Sequence, residues 1–209
     1  MTTWKLAACA ALTAAALGVA PLAAAKEPRD ARAIRRGEYL VTVGGCNDCH
    51  TPWKMGPQGP APDRTRLLSG HPQDLEMPPA PKPPTAPWAY TAAATMTAWS
   101  GPWGVSFTAN LTPDPETGLG KWTPQNFIQA MRTGRHMGRG RPILPPMPYY
   151  DYAKMTDGDL KAVFAYLGSI PPVKNRVPEP IPPESGASAS AAGGAGPASA
   201  PPAGGPPAR

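Results

Sequence analysis

The chain is poor in the residues that usually build a thick core or a covalent framework. Its 209 residues include three cysteines, three histidines and three phenylalanines, and aromatic residues make up 7%. So few thiols exclude a disulfide-stapled scaffold. So few large apolar side chains leave little area to bury, which excludes a large conventional core. Long hydrophobic runs are also missing. The longest, residues 6–22, covers about 17 positions and is mostly alanine, short of the ~20 residues that span a bilayer as a helix. Strong charge of either sign is absent: charged residues make up 16% of the chain and the formal net charge is +6. With no aromatic stacking array and no recognised motif, nucleic acid is not an expected partner. Proline and glycine are abundant instead. The 32 prolines and 22 glycines form about a quarter of the chain and predict long irregular segments.

The first 25 residues read as a secretory leader. Lys5 supplies the positive start, residues 6–22 the apolar stretch, and Ala23-Ala24-Ala25 the small-residue cleavage site before Lys26. Leu6-Ala7-Ala8-Cys9 resembles a lipoprotein box but precedes most of the apolar run, so Cys9 reads as part of the leader. An uncleaved membrane anchor is the alternative. Cleavage leaves 19 basic and 14 acidic residues, a charge of +5, and two cysteines, Cys46 and Cys49. A mild basic excess suits docking on acidic protein surfaces or peripheral association with anionic membranes.

Those two cysteines lie in Cys46-Asn47-Asp48-Cys49-His50, the spacing C-x-x-C-H. Two thiols within one helical turn match the two vinyl groups of one porphyrin. The next residue, a histidine, then lies where it can ligate the iron. A redox dithiol or half of a zinc site are the rival readings. A dithiol has no use for the histidine, and a zinc site needs further ligands where only His71 and His136 remain. The expected cofactor is therefore one covalently attached haem c, on Cys46 and Cys49, with His50 as an axial iron ligand. Export agrees, because bacteria attach this group outside the cytoplasm.

Around the motif, residues 27–43 predict a helix in which Ile34, Gly37, Leu40 and Val41 form an apolar stripe, stopped by Gly44-Gly45. Residues 51–104 are broken by prolines and predict an irregular connection, with residues 66–72 packing locally and 77–87 resembling polyproline. In the turn-rich stretch 106–120, Asn110 is expected to hold the loop through its side chain. Thr123 caps a helix that begins at Pro124, carries Phe127, Ile128, Ala130 and Met131 on one face and ends at Gly134. Trp122 is placed to staple its start. Thr156 caps the last helix, with Asp157 and Asp159 in its first turn, Val163, Phe164, Tyr166 and Leu167 buried and Gly168 at its end. Residues 178–209, made of Pro, Ala, Gly and Ser, predict a disordered tail.

The sixth iron position separates a carrier from a catalyst. Met55, Met77, Met96, Met131, Met137, Met147, Met155, His71 and His136 all follow the motif. Met147 is favoured because Pro145-Pro146-Met147-Pro148 stiffens the chain that would hold it. Met137 ranks second and the histidines third. An open iron site, as in a haem enzyme or gas sensor, is the less favoured alternative. Arg132, Arg135, His136, Arg139 and Arg141 form a basic run that suits either solvent, haem carboxylates or an acidic partner.

Taken together, the first helix with Gly37 and Tyr39-Leu40, the 46–50 motif, the Met147-Pro148 loop and the closing Ala165-Tyr166-Leu167 resemble a class I, single-haem cytochrome c domain over residues 30–177. The stretches RGEYLVTVGGCNDCHTP, ANLTPDPETGLGKWTPQNFIQAMRTGRH and PPMPYYDYAKMTDGDLKAVFAYLGSIPPVKNRVP are similar to haem domains in the cytochrome subunits of bacterial quinoprotein and flavoprotein dehydrogenases. One motif stands here where those subunits carry three. The resemblance implies an all-α fold closed by the first and last helices, with Gly37 against Tyr166. It implies that a proline carbonyl, from Pro52, Pro57 or Pro60, accepts the His50 Nδ1–H. The expected organisation is a leader over 1–25, a cytochrome domain over 26–177 with a proline-rich insertion at 56–104, and a tail. The expected function is one-electron transfer in the periplasm, without catalysis. Its partners would be a dehydrogenase, a quinol-oxidising complex or a terminal oxidase, and an integral subunit of a dehydrogenase complex is the alternative.

Overall fold

The computed structural model describes residues 29–82 and 87–183. The expected leader and most of the expected tail lie outside the described residues. Among the described residues there are five α-helices and five strands: α1 (Arg29–Val43), α2 (Cys46–His50), β1 (Trp53–Gly56), β2 (Gly59–Pro62), β3 (Thr91–Ala92), β4 (Ala98–Gly101), β5 (Gly104–Phe107), α3 (Pro124–Thr133), α4 (Tyr149–Tyr152) and α5 (Asp157–Leu167).

The helical frame follows from its sequence signals. Gly45 ends the turn after α1 in the left-handed region, at φ 67°. Thr123 accepts from the Asn126 N–H, and Asn126 returns a bond to the Thr123 N–H, closing a capping box before Pro124. Gly134 terminates α3 at φ 62°. Thr156 caps α5 through the Asp159 N–H. Phe127, Ile128, Ala130 and Met131 are buried as their spacing requires. On α5 the fully buried set is Leu160, Ala162, Val163 and Leu167, while Phe164 and Tyr166 are half-buried. Each large side chain of this set contributes roughly 1.5–3 kcal/mol by leaving water.

Helices α1 and α5 cross at Gly37. A Cβ there would run into the Ala162 carbonyl oxygen and lie 2.7 Å from the Tyr166 Cβ. The expected glycine-to-aromatic crossing is present, and the backbone of Ala162 is the tighter constraint. Trp122 packs against the core and meets His136 edge-on at 4.9 Å.

The expectation of an all-α fold is corrected. Residues 51–104, read as one irregular proline-rich connection, together with the next three residues form an antiparallel hairpin β1–β2 and a sheet ordered β3-β4-β5. Prolines 60 and 62 lie in a strand of a two-stranded sheet, where a missing N–H leaves no inner ladder broken. In β4–β5 the chain turns at Pro102-Trp103, with Gly104 at φ 92°. In the stretch 66–72, expected to pack locally, Leu68, Ser69 and His71 are fully buried, and what they and Gly70 meet is distant in sequence: Thr97, residues 108–109 and Asn175. The expected start of a disordered tail at 178 is also corrected. Residues 178–183 are ordered, and Ile181 exchanges two backbone hydrogen bonds with Val105, at 2.8 and 3.0 Å.

Candidate cofactor site

Short helix α2 begins directly after the Gly44-Gly45 turn, and five residues suffice to put Cys46, Cys49 and His50 on one cavity of about 810 Å³. That volume falls in the range of roughly 300–1,000 Å³ typical of sites for small ligands and cofactors. The walls come from every part of the frame: Val41 of α1, Met131 of α3, Leu160 of α5 and the Met147 loop. The core does not fill its own centre, which is how a chain short of large apolar residues can fold around an apolar guest.

The two thiols are in an apolar setting. Burial pushes the Cys46 thiol up to about 11, and burial followed by the charge of Asp48 pushes Cys49 up. Both are thiols rather than thiolates at neutral pH, the reverse of an activated redox dithiol. Tyr152 closes this end by donating to the Gly44 carbonyl at 2.5 Å. Burial, then the neighbouring cysteines, pushes its phenol up to about 12, so it remains a donor.

His50 is 7% exposed, and burial lowers its pKa, so the ring is neutral. Its Nδ1 lies 2.8 Å from the Ala109 carbonyl oxygen. A carbonyl only accepts, so Nδ1 carries the proton and Nε2 keeps its lone pair, the tautomer a metal ligand needs. This corrects the expected acceptor: it is Ala109, and not Pro52, Pro57 or Pro60. The geometry behind it is set by Gly70. Its N–H donates to the His50 carbonyl at 2.8 Å, and a Cβ on it would lie 2.5 Å from the Thr108 oxygen and 2.6 Å from that of Ala109. Segment 68–71 thus presses residues 108–109 toward His50. The sequence signal was the glycine in the stretch 66–72. What it touches is 38 residues downstream, and no local pattern reports that.

Met147 is half-buried and lines the same cavity. Its loop is held by Ser106 Oγ, which donates to the Pro145 carbonyl at 2.6 Å, so the sheet absent from the sequence reading positions it. Met131, Met137, Met155 and His136 also line the cavity. Met55 is 78% and Met77 40% exposed. His71 is buried elsewhere, with Nδ1 3.0 Å from Thr97 Oγ1. Of the basic run, Arg132 is committed to the Ala153 and Met155 carbonyls and to Asp157, and Arg135 bonds the Gly140 carbonyl. His136 and Arg141 reach the cavity. Asn110 holds its loop as expected, donating to the Val173 carbonyl at 2.8 Å and accepting from the Thr112 N–H at 3.0 Å. Two protonated thiols within one helical turn, a neutral imidazole with a free lone pair, a thioether and an apolar cavity are a donor set that fits an iron porphyrin.

No family model matches the chain. It is 30% identical over 179 residues to the cytochrome c subunit of a quinone-dependent alcohol dehydrogenase from Gluconobacter oxydans, covering 84% of this chain and 29% of that protein. It is 29% identical over 134 residues to the gluconate 2-dehydrogenase cytochrome c subunit of Pantoea cypripedii, 64% of this chain and 22% of the relative. A dihaem c-type cytochrome of Cereibacter sphaeroides is 26% identical over 145 residues, 69% of this chain and 38% of the relative. The chain thus spans well under half the length of these relatives. It carries a cytochrome c domain similar to those of bacterial dehydrogenase cytochrome c subunits.

Proposed function

We propose that the chain is an exported, single-haem c-type cytochrome that carries one electron between periplasmic or membrane redox partners. Cys46 and Cys49 would hold haem c through thioethers, and His50 and Met147 would ligate its iron. The group supplies a one-electron couple between ferric and ferrous iron. The observation that carries the reading is the His50–Ala109 hydrogen bond, at 2.8 Å, on the wall of the cavity that Cys46, Cys49 and Met147 also line. That bond orients the imidazole, keeps its Nε2 unprotonated and makes it a stronger donor. The apolar walls exclude water, and the methionine sulfur, a soft neutral donor, favours the reduced state. With His50 and Met147 both holding the iron, the group would pass electrons without binding a substrate, and the protein would catalyse nothing itself.

The test is the absorption spectrum of the oxidised protein and of Met147→Ala. The weak long-wavelength band of iron–methionine ligation is expected in the wild type and absent from the variant. A band that survives places the ligand elsewhere. Ready carbon monoxide binding by the reduced wild type would favour an open-site enzyme or sensor. The natural partner of this reading is a dehydrogenase as donor, with a quinol-oxidising complex or a terminal oxidase as further partners.

One observation favours a second reading, an electron-transfer subunit inside a dehydrogenase complex: relatives are named as such subunits. Stable co-purification with a catalytic subunit supports it, and a free haem protein supports the carrier.

A further inference from the structure

The chain beyond α5 does not leave the molecule. It turns at residues 168–170 and runs on along the cavity, held at two places. Asn175 is fully buried and every polar group of it is used. Its Oδ1 accepts from the Arg66 guanidinium at 3.1 Å and from the Gln73 N–H at 2.9 Å. Its Nδ2 donates to the Ser69 and His71 carbonyls at 2.7 and 2.8 Å. Its backbone N–H donates to Thr117 Oγ1, and its carbonyl accepts from Asn110. The second hold is the Ile181–Val105 bridge. There Gly104 leaves room: a Cβ on it would strike the Ile181 carbonyl oxygen and lie 2.7 Å from the Pro182 carbonyl carbon.

Between these holds, Arg176, Val177, Pro178, Glu179 and Pro180 all line the cavity. Val177, Pro178 and Pro180 offer it hydrocarbon. The prolines make the extended path cheap in chain entropy. Glu179 is paired with Arg141 at 3.6 Å, and Glu116, also on the cavity, is paired with Lys174 at 2.8 Å. Arg176 forms no ion pair among the described residues. A haem has an apolar ring and two carboxylates, and this segment brings to it three apolar side chains and a guanidinium whose charge, after that of Lys174, also helps lower the Glu116 pKa on the cavity wall.

We propose that residues 176–180 are a cofactor-binding strap: Val177, Pro178 and Pro180 cover the ring of the haem and Arg176 meets one of its carboxylates. The inference rests on the haem reading above. The strap removes water from that flank, and the Arg176 charge opposes the extra positive charge of ferric iron, so both raise the reduction potential. Arg176 is a cofactor-binding residue, and its charge would act on the potential through the carboxylate it meets.

The experiment uses the full chain, first tested for covalent haem by staining after denaturing electrophoresis. Midpoint potential and the rate at which dioxygen oxidises the reduced protein are then measured for wild type, Arg176→Gln, Arg176→Lys and Gly104→Ala. Arg176→Gln should lower the midpoint, and the difference from wild type should shrink in high salt. Arg176→Lys should restore most of it. Gly104→Ala, which pushes the strap outward, should lower the midpoint and speed oxidation several-fold. If Gly104→Ala does not fold, Ile181→Pro removes one bridge donor and takes its place. Covalent haem with midpoint and oxidation rate unchanged in Arg176→Gln and in the bridge variant overturns the strap alone. A wild type without covalent haem overturns the electron-carrier reading and the strap with it.

Discussion

His50 and Gly70 show how one residue's chemistry depends on another's missing side chain. Gly70 sits at φ 76° with no room for a Cβ against residues 108–109. Gly70→Ala should therefore lower the unfolding free energy by about 2–4 kcal/mol, from overpacking and from left-handed backbone strain. Because it also displaces the Ala109 carbonyl, it should move the midpoint potential, which denaturant unfolding and redox titration check separately. His71 makes a pH prediction. Burial first, and then the Arg66 charge, lowers its pKa, so the folded protein holds this ring neutral where the unfolded chain protonates it. The unfolded state then binds more protons below its own value of about 6.5, and stability falls as pH drops through that value toward the lowered one. The slope reaches at most about 1.4 kcal/mol per pH unit for this proton. His71→Gln should flatten the part of the stability curve that lies below about pH 6.5, measured by denaturant unfolding.

At the scale of elements, the α1–α5 crossing closes the fold. Gly37→Ala puts a methyl into the Ala162 carbonyl, so the helices must separate. Overpacking of this kind costs roughly 1–3 kcal/mol, seen as a lower melting temperature. The α3 start is a milder case. Thr123→Ala removes the hydroxyl that accepts from Asn126 and should cost about 1 kcal/mol. The sheet β3–β5 has a larger consequence than its length suggests. Through Ser106 it holds the Met147 loop, through Val105 it holds Ile181, and through the residues that follow it presents Ala109 to His50.

Across the whole molecule, Asn175 joins three stretches far apart in sequence: 66–73, 110–117 and the strap. Asn175→Ala leaves the buried Ser69 and His71 carbonyls without these donors. Each such loss costs about 1–3 kcal/mol. The variant should unfold at a lower denaturant concentration than wild type, by more than Thr123→Ala does.

The sequence by itself determined what rests on neighbouring residues. The 46–50 motif, the Thr123 and Thr156 caps, the Gly45 and Gly134 stops and the apolar face of α3 are local, because hydrogen bonds and spacing within one or two turns specify them. Gly37 against α5 was also readable, through resemblance. Tertiary structure alone decided the rest. Proline density in residues 51–104 masked a hairpin and a three-stranded sheet, since strand pairing depends on partners and not on composition. The His50 acceptor lies 59 residues away, and the ordered start of the predicted tail depends on a strand 76 residues before it. Long-range contacts of this kind leave no periodic trace, because what fixes them is the shape of the cavity that the separate segments jointly enclose.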